Sequence, residues 1–397
     1  MNEQDAGALT APVVTTAAPR PLAPAWVLRL CGWLACLCYV GASLVVIVTL
    51  DLALSARQTF FLGVMGLLVM LWISVVVHEL GHACMARWTG MTLLRMAWGR
   101  IDILFLRRGF KLRWAPRTSG RLGYVYAAPP VGMRLGSRLV WLLAGGAVAN
   151  GVAALIAFVL ALAAGVDESA LGASLMAFTV LNVCLAVANL LPYERPAISD
   201  GLQILQVLRA DKHALPDPIT RTIACSVAGE DFPPGLVDEV ATLGPQGQLL
   251  ACLLRMKLAQ LDGNWEAAIA QGEQQARIES AMPPAMRKIV RGLTSLLRYE
   301  LAFAWAMRER DAHFELTLPR DRDTEWTSPQ LRPRCQALAA ALAGDATRME
   351  SLLEQARVLA ENSRERSVAT CEARLAQHIR AMCAERSAPQ PTRLASA

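Results

Sequence analysis

Two histidines and a glutamate stand together at the end of a long apolar stretch. Residues 59–77 carry no charged side chain, and His78, Glu79 and His82 follow within five positions. On a helix, positions i and i+4 share a face, so both imidazoles can point at one metal ion. Glu79 lies next to that face, where it can reach a water molecule activated by the metal. The spacing therefore predicts a catalytic zinc site.

Two histidines leave such a site one ligand short, because a catalytic zinc ion commonly takes three protein ligands and keeps one position for water. Within residues 189–201, Pro192 must end an apolar helix, and Asp200 opens a new segment behind a capping residue, Ser199. Asp200 could therefore supply the third ligand. Glu194 lies between the proline and the aspartate and is the alternative ligand.

Four apolar stretches must position these residues, and each is long enough to cross a bilayer, which takes about 20 residues. The second continues as a helix through both histidines. We predict a mainly α fold, a polytopic membrane protein with about four transmembrane helices. The spans are expected at about residues 30–50, 59–88, 139–164 and 172–192.

Charge indicates how the spans are oriented. The stretch from Arg87 to Arg121 holds nine Lys and Arg residues and one acid, Asp102. Basic loops stay on the cytoplasmic side, so we expect the metal-binding end of span two and both termini to face the cytoplasm. The pattern is typical of a multi-pass protein of a bacterial inner membrane. Beside membrane spans, the basic loop is expected to contact anionic lipid headgroups and not nucleic acid.

The loop at residues 89–133 carries strand patterns. Residues 101–106 and 110–114 form a predicted β-hairpin around Arg107-Arg108-Gly109, and residues 122–126 are a candidate third strand. Such an element could offer its edge to an extended peptide, or it could be a structural flap.

From residue 206 to residue 386 the apolar pattern becomes amphipathic and helical. Two segments, residues 248–276 and 334–359, each predict a helix hairpin similar to those of tetratricopeptide repeats. We expect an all-helical soluble domain there, able to bind a protein partner. Residues 1–24 and 387–397 are expected to be disordered tails, which leaves residues 25–205 as the membrane core.

The chain resembles the site-two protease family, the intramembrane zinc metalloproteases. That family pairs His-Glu-x-x-His in one membrane helix with Asn-x-x-Pro and Asp-Gly in a later one. Here Asn189, Pro192, Asp200 and Gly201 stand in that order. The resemblance implies that Asp200 binds zinc and that Asn189 helps to position the substrate or the developing oxyanion.

Two features depart from the family pattern. The intervening helix has Gly146-Ala147-Val148-Ala149-Asn150, with alanine where the family has proline, and the spacer from Pro192 to Asp200 is longer than the commonest form. The resemblance covers residues 26–205 approximately. It implies a zinc-dependent endopeptidase that cuts membrane proteins or peptides near the cytoplasmic face, as in regulated intramembrane proteolysis.

Two other functions stay open at this point. The chain could be a maturation protease for a small secreted peptide, or a catalytically inactive membrane scaffold with a helical adaptor domain. The complete set of His78, Glu79, His82 and Asp200 argues against the scaffold, because an inactive relative need keep none of them.

Overall fold

The computed structural model describes most of the chain. The predicted disordered tails fall almost wholly outside the described residues. By internal contacts the chain divides into two units, one within residues 23–105 and 111–217, the other formed by residues 106–110 and 218–387. The described residues are 23–54, 59–115, 122–134, 136–166, 168–194, 198–209, 216–311 and 321–387.

Four long helices dominate the first unit, and each is long and apolar enough to cross a membrane, as predicted. They expose many large apolar side chains, such as Trp33, Phe61 and Leu155, which a bilayer would cover. The four are α1 (Ala25–Leu54), α2 (Thr59–Trp88), α3 (Gly136–Ala164) and α4 (Ala170–Leu190).

Helices α2 and α3 approach each other closely through glycines. A methyl group on Gly145 would lie 2.7 Å from the carbonyl oxygen of Gly81, and one on Gly81 would collide with the Gly145 carbonyl. Small residues let membrane helices pack backbone to backbone in this way. The approach places α3 directly beside the histidine-bearing end of α2.

A small antiparallel sheet lies between α2 and α3 in the chain. It packs on α2 through a cluster of Ala83, Met96 and Ile103. The strand order is β3-β2-β1-β4. The strands are β1 (Thr92–Trp98), β2 (Ile101–Phe105), β3 (Phe110–Trp114) and β4 (Gly123–Ala128).

The predicted hairpin and third strand are confirmed as β2, β3 and β4, but β1 was not predicted. Its sequence, Thr-Leu-Leu-Arg-Met-Ala-Trp, is rich in residues that favour helices. Tertiary pairing overrides that preference, since β1 lies between β2 and β4 and bonds to both, with Met96 opposite Ile103 and Val125.

The second unit is helical, as predicted for the C-terminal region. Both predicted hairpins are present, with Asn264 and Asp345 capping their second helices. The helices that follow α4 are α5 (Asp200–Arg209), which belongs to the first unit, then α6 (Pro218–Ala228), α7 (Leu236–Ala241), α8 (Gly244–Leu261), α9 (Trp265–Ala281), α10 (Pro284–Ile289), α11 (Arg291–Glu309), α12 (Arg322–Thr327), α13 (Leu331–Leu342), α14 (Ala346–Glu361) and α15 (Arg366–Ser387).

A buried ion network joins three helices of the second unit. The guanidinium of Arg334 on α13 donates to Glu300 on α11 at 2.6 Å and to Glu372 on α15 at 2.8 Å. Burial and the nearby Glu300 raise the pKa of Glu372 to about 7, although Arg334 opposes the shift.

Candidate metal centre

His78, His82 and Asp200 converge in the first unit. Nε2 of His78 lies 3.1 Å from Nε2 of His82 and 3.1 Å from Oδ2 of Asp200. Nε2 of His82 lies 3.4 Å from the same carboxylate oxygen. Among the described residues, these three form the one His/Cys/Asp/Glu group whose ligand atoms are close enough to hold a metal ion.

The spacing of these three atoms fits zinc. Zinc binds nitrogen and oxygen ligands at about 2.0–2.1 Å in a tetrahedron, which places any two ligand atoms about 3.3 Å apart. The observed separations of 3.1 to 3.4 Å match that triangle. Three protein ligands would leave one position open, as catalytic zinc sites require.

His82 is held in the orientation that a ligand needs. Its Nδ1 lies 2.7 Å from the carbonyl oxygen of Leu142 on α3, which accepts the Nδ1–H hydrogen bond. A metal-binding histidine commonly donates its second ring N–H to such an oxygen, which fixes the tautomer and turns the other nitrogen toward the metal. The Nδ1 atom of His78 has no hydrogen-bond partner among the described residues.

Gly146 on α3 leaves the space in which the two imidazoles meet. A methyl group there would lie 2.6 Å from Nε2 of His82 and would collide with Nε2 of His78. This role of Gly146 was not predicted, although the glycine lies in the Gly-x-x-x-Asn stretch of span three. Asn150, one turn further along α3, is fully buried.

Glu79 is buried beside the three converging residues, and β4 closes over its side chain. A methyl group on Gly123, the first residue of β4, would lie 2.6 Å from Cγ and Cδ of Glu79 and would collide with Oε1. The sheet therefore leaves room for this carboxylate only because residue 123 has no side chain. Nothing in the spacing of the sequence indicates this relationship.

Asp200 reaches the histidines as the first residue of α5. A methyl group on the next residue, Gly201, would collide with the carbonyl of Leu190, so the glycine lets α5 pack against the end of α4. Burial would raise the pKa of Asp200, but hydrogen bonds with His78 and His82 hold it well below its usual range. Its Oδ2 lies where it can bind the same cation as the two imidazoles.

The other two candidate site residues are not among the three that converge. Glu194 is exposed and is not part of the converging group. Asn189 lies in the last turn of α4, where its side-chain N–H donates to the carbonyl of Leu185 at 3.0 Å. Its role toward a substrate stays a prediction.

Residues 66–171 match the model of Peptidase family M50. This is the site-two protease family, and the resemblance is confirmed. The match contains the His-Glu-x-x-His motif, the sheet and α3, whereas Asp200 lies beyond its end. The family implies a membrane metalloprotease, in agreement with the four apolar helices. No curated protein and no solved structure matches the chain.

Proposed function

We propose that this M50 protein is a zinc-dependent intramembrane endopeptidase that cleaves membrane-associated substrates near the cytoplasmic face. The observation that carries the proposal is the convergence of His78, His82 and Asp200 beside the buried Glu79. The separations of the ligand atoms suit a tetrahedral ion, and the neighbouring carboxylate suits a general base.

His78, His82 and Asp200 would hold the metal. A bound zinc ion supplies Lewis-acid chemistry, which makes water acidic and polarises a peptide carbonyl. Glu79 would accept the proton of the attacking water and pass it to the leaving amine. Its buried position limits competition from bulk solvent for that proton.

The depth of the site supports cleavage near one membrane face. Trp88 at the end of α2 and Trp141 at the start of α3 are exposed and stack edge to face, with ring centroids 5.8 Å apart. Tryptophans mark the membrane–water interface. His82 precedes Trp88 by six residues, which is about 9 Å along a helix. With the basic loop on the same side, the cytoplasmic face is the natural assignment.

The substrate must present an extended backbone, because the amides of a helix are shielded by their own hydrogen bonds. The hairpin of β2 and β3 was the predicted edge for such a peptide. In the sheet, β3 lies three strands away from β4, which is roughly 14 Å at 4.8 Å per strand. Because β4 is the strand that reaches Glu79, a peptide paired with β3 would lie far from the base.

We propose that β3 contacts lipid instead. Phe110, Leu112 and Trp114 share one face of the strand and are 63%, 59% and 69% exposed. Lys111 lies between them, and basic residues precede them in the turn at 107–108. An aromatic face beside cationic groups suits the interface of a membrane with anionic lipids.

The test compares membranes from cells that express the wild type or Glu79→Gln. We expect the wild type to generate new N-termini within spans of other membrane proteins, and the variant to keep its zinc but generate none. New termini confined to small secreted peptides would favour the maturation protease. Identical termini in both samples, from folded proteins, would favour the inactive scaffold and contradict the proposal.

A further inference from the structure

One buried side chain, that of Ser199, forms hydrogen bonds at both ends of the spacer between α4 and α5. We infer that Ser199 positions Asp200 as the third metal ligand by fastening the start of α5 to the end of α4. The inference rests on the proposed zinc site and adds a residue to it.

Ser199 uses every hydrogen-bonding group that it has. Its Oγ–H donates to the carbonyl of Leu191 at 2.6 Å, and Oγ accepts from the backbone N–H groups of Tyr193 and Leu202, each at 3.1 Å. Its own N–H donates to the carbonyl of Tyr193 at 3.0 Å, and its carbonyl accepts from Gln203. A hydroxyl has one donor and two acceptor positions, so the side chain is saturated.

The partners of Ser199 are themselves fixed. Tyr193 is buried and packs with Ala35 of α1 and Ala188 of α4. On the other side of Ser199, Gly201 packs against the carbonyl of Leu190. Ser199 is 4% exposed and therefore connects two anchored segments away from water.

Only Asp200 among the three converging residues depends on this junction. His78 and His82 are carried by α2, whose position is set by its packing on α3. Asp200 follows Ser199 directly, so a shift of the junction moves its carboxylate relative to the imidazoles. Alanine at position 199 would remove the acceptor of two N–H groups and the donor to one carbonyl.

Ser169 provides a matched control within the same unit. It caps α4, accepts from the N–H of Gly172 at 2.9 Å and donates to the carbonyl of Ala164 at 2.7 Å. Its contacts resemble those of Ser199, but the residue that follows it is Ala170 and not a candidate metal ligand. Ser169→Ala should therefore lower the melting temperature much as Ser199→Ala does, without changing the affinity for zinc.

The experiment measures zinc affinity of the purified full chain by competition with a chelator, with melting temperature recorded in parallel. Loss of a group that orients a metal ligand commonly weakens binding by about 10- to 100-fold. We expect that loss for Ser199→Ala, restoration to within about threefold of the wild type for Ser199→Thr, and wild-type affinity for Ser169→Ala. Ser199→Gly, which caps a helix better than alanine, should show the same loss in a more stable protein.

The outcomes separate this inference from the proposed function. A wild type that binds no zinc would remove the proposed function and the inference together. A wild type that binds zinc, with equal affinity in folded Ser199→Ala or Ser199→Gly, would overturn the inference and leave the proposed function intact.

Discussion

Oδ2 of Asp200 lies 3.1 Å from Nε2 of His78, although 122 residues separate them in the chain. One comes from the motif in α2 and the other from the first turn of α5. A carboxylate at a helix N-terminus is also favoured by the helix dipole. The candidate centre thus joins a motif that is local in sequence to a ligand that only the fold can deliver.

The first prediction concerns the space between the imidazoles. Gly146→Ala places a methyl group against both histidine Nε2 atoms, so we expect zinc affinity to fall at least about tenfold. Gly151→Ala on the same helix meets open space and is the control. Chelator competition on both variants measures the effect. Equal affinities would show that the imidazoles do not meet at Gly146.

A second prediction concerns Glu79. Gly123→Ala should displace its carboxylate while leaving zinc bound, because the three atoms nearest to the methyl group all belong to Glu79. Loss of a positioned general base costs about 10²- to 10⁴-fold in rate, so we expect cleavage to drop by about 100-fold at unchanged zinc content. Gly136→Ala, which meets nothing, should cleave normally. Full activity in Gly123→Ala would rule out this placement of the base.

The third prediction tests the ion network of the sheet. Asp102 is buried and accepts hydrogen bonds from Arg95 and Arg113, each at 2.8 Å. Burial would raise its pKa, but the arginines hold it below the usual range. Because both arginines are partly exposed, we expect Asp102→Asn to lower the free energy of unfolding by about 1–3 kcal/mol.

The pH dependence of this effect has a definite sign. A carboxyl whose folded pKa is depressed stabilises the fold above its unfolded pKa, about 3.9, and loses that contribution as pH falls. Denaturation of the wild type and Asp102→Asn at pH 7 and at successively lower pH should show the difference shrinking in acid. The exposed pair of Asp238 and Arg255 is the control, and Asp238→Asn should cost little. A pH-independent difference would contradict the assignment.

A fourth prediction concerns Glu372 in the helical unit. Its pKa of about 7 exceeds the ordinary value of 4.5, so the folded unit binds more protons than the unfolded chain between those limits. Stability from this group is therefore greatest below about pH 4.5 and declines as pH rises to about 7. In denaturation experiments, Glu372→Gln should weaken the dependence of the free energy of unfolding on pH between 4.5 and about 7. An unchanged slope would show that Glu372 does not titrate there.

The features of the fold that depend on helical periodicity and on the distribution of charge could be predicted from the sequence. The i, i+4 spacing of His78 and His82 and the four apolar spans were sufficient to predict the helices and to place two candidate metal ligands on one helix face. The strand β1 was missed because its residues favour helices, and its two neighbouring strands decide its conformation. The roles of Gly123 and Gly146 could not be read from spacing, because each depends on which side chain faces the glycine in the fold. Because the spacer is long, the role of Ser199 in joining α4 to α5 could not be predicted from the sequence either.

The zinc content of the purified chain tests the central claim most directly, with Asp200→Asn as the variant and Glu194→Gln as its matched control. We expect about one zinc per chain for the wild type and for Glu194→Gln, and less than about a tenth of that for Asp200→Asn after mild chelation. Zinc retained by Asp200→Asn, or a wild type without zinc, would contradict a metal centre built from His78, His82 and Asp200.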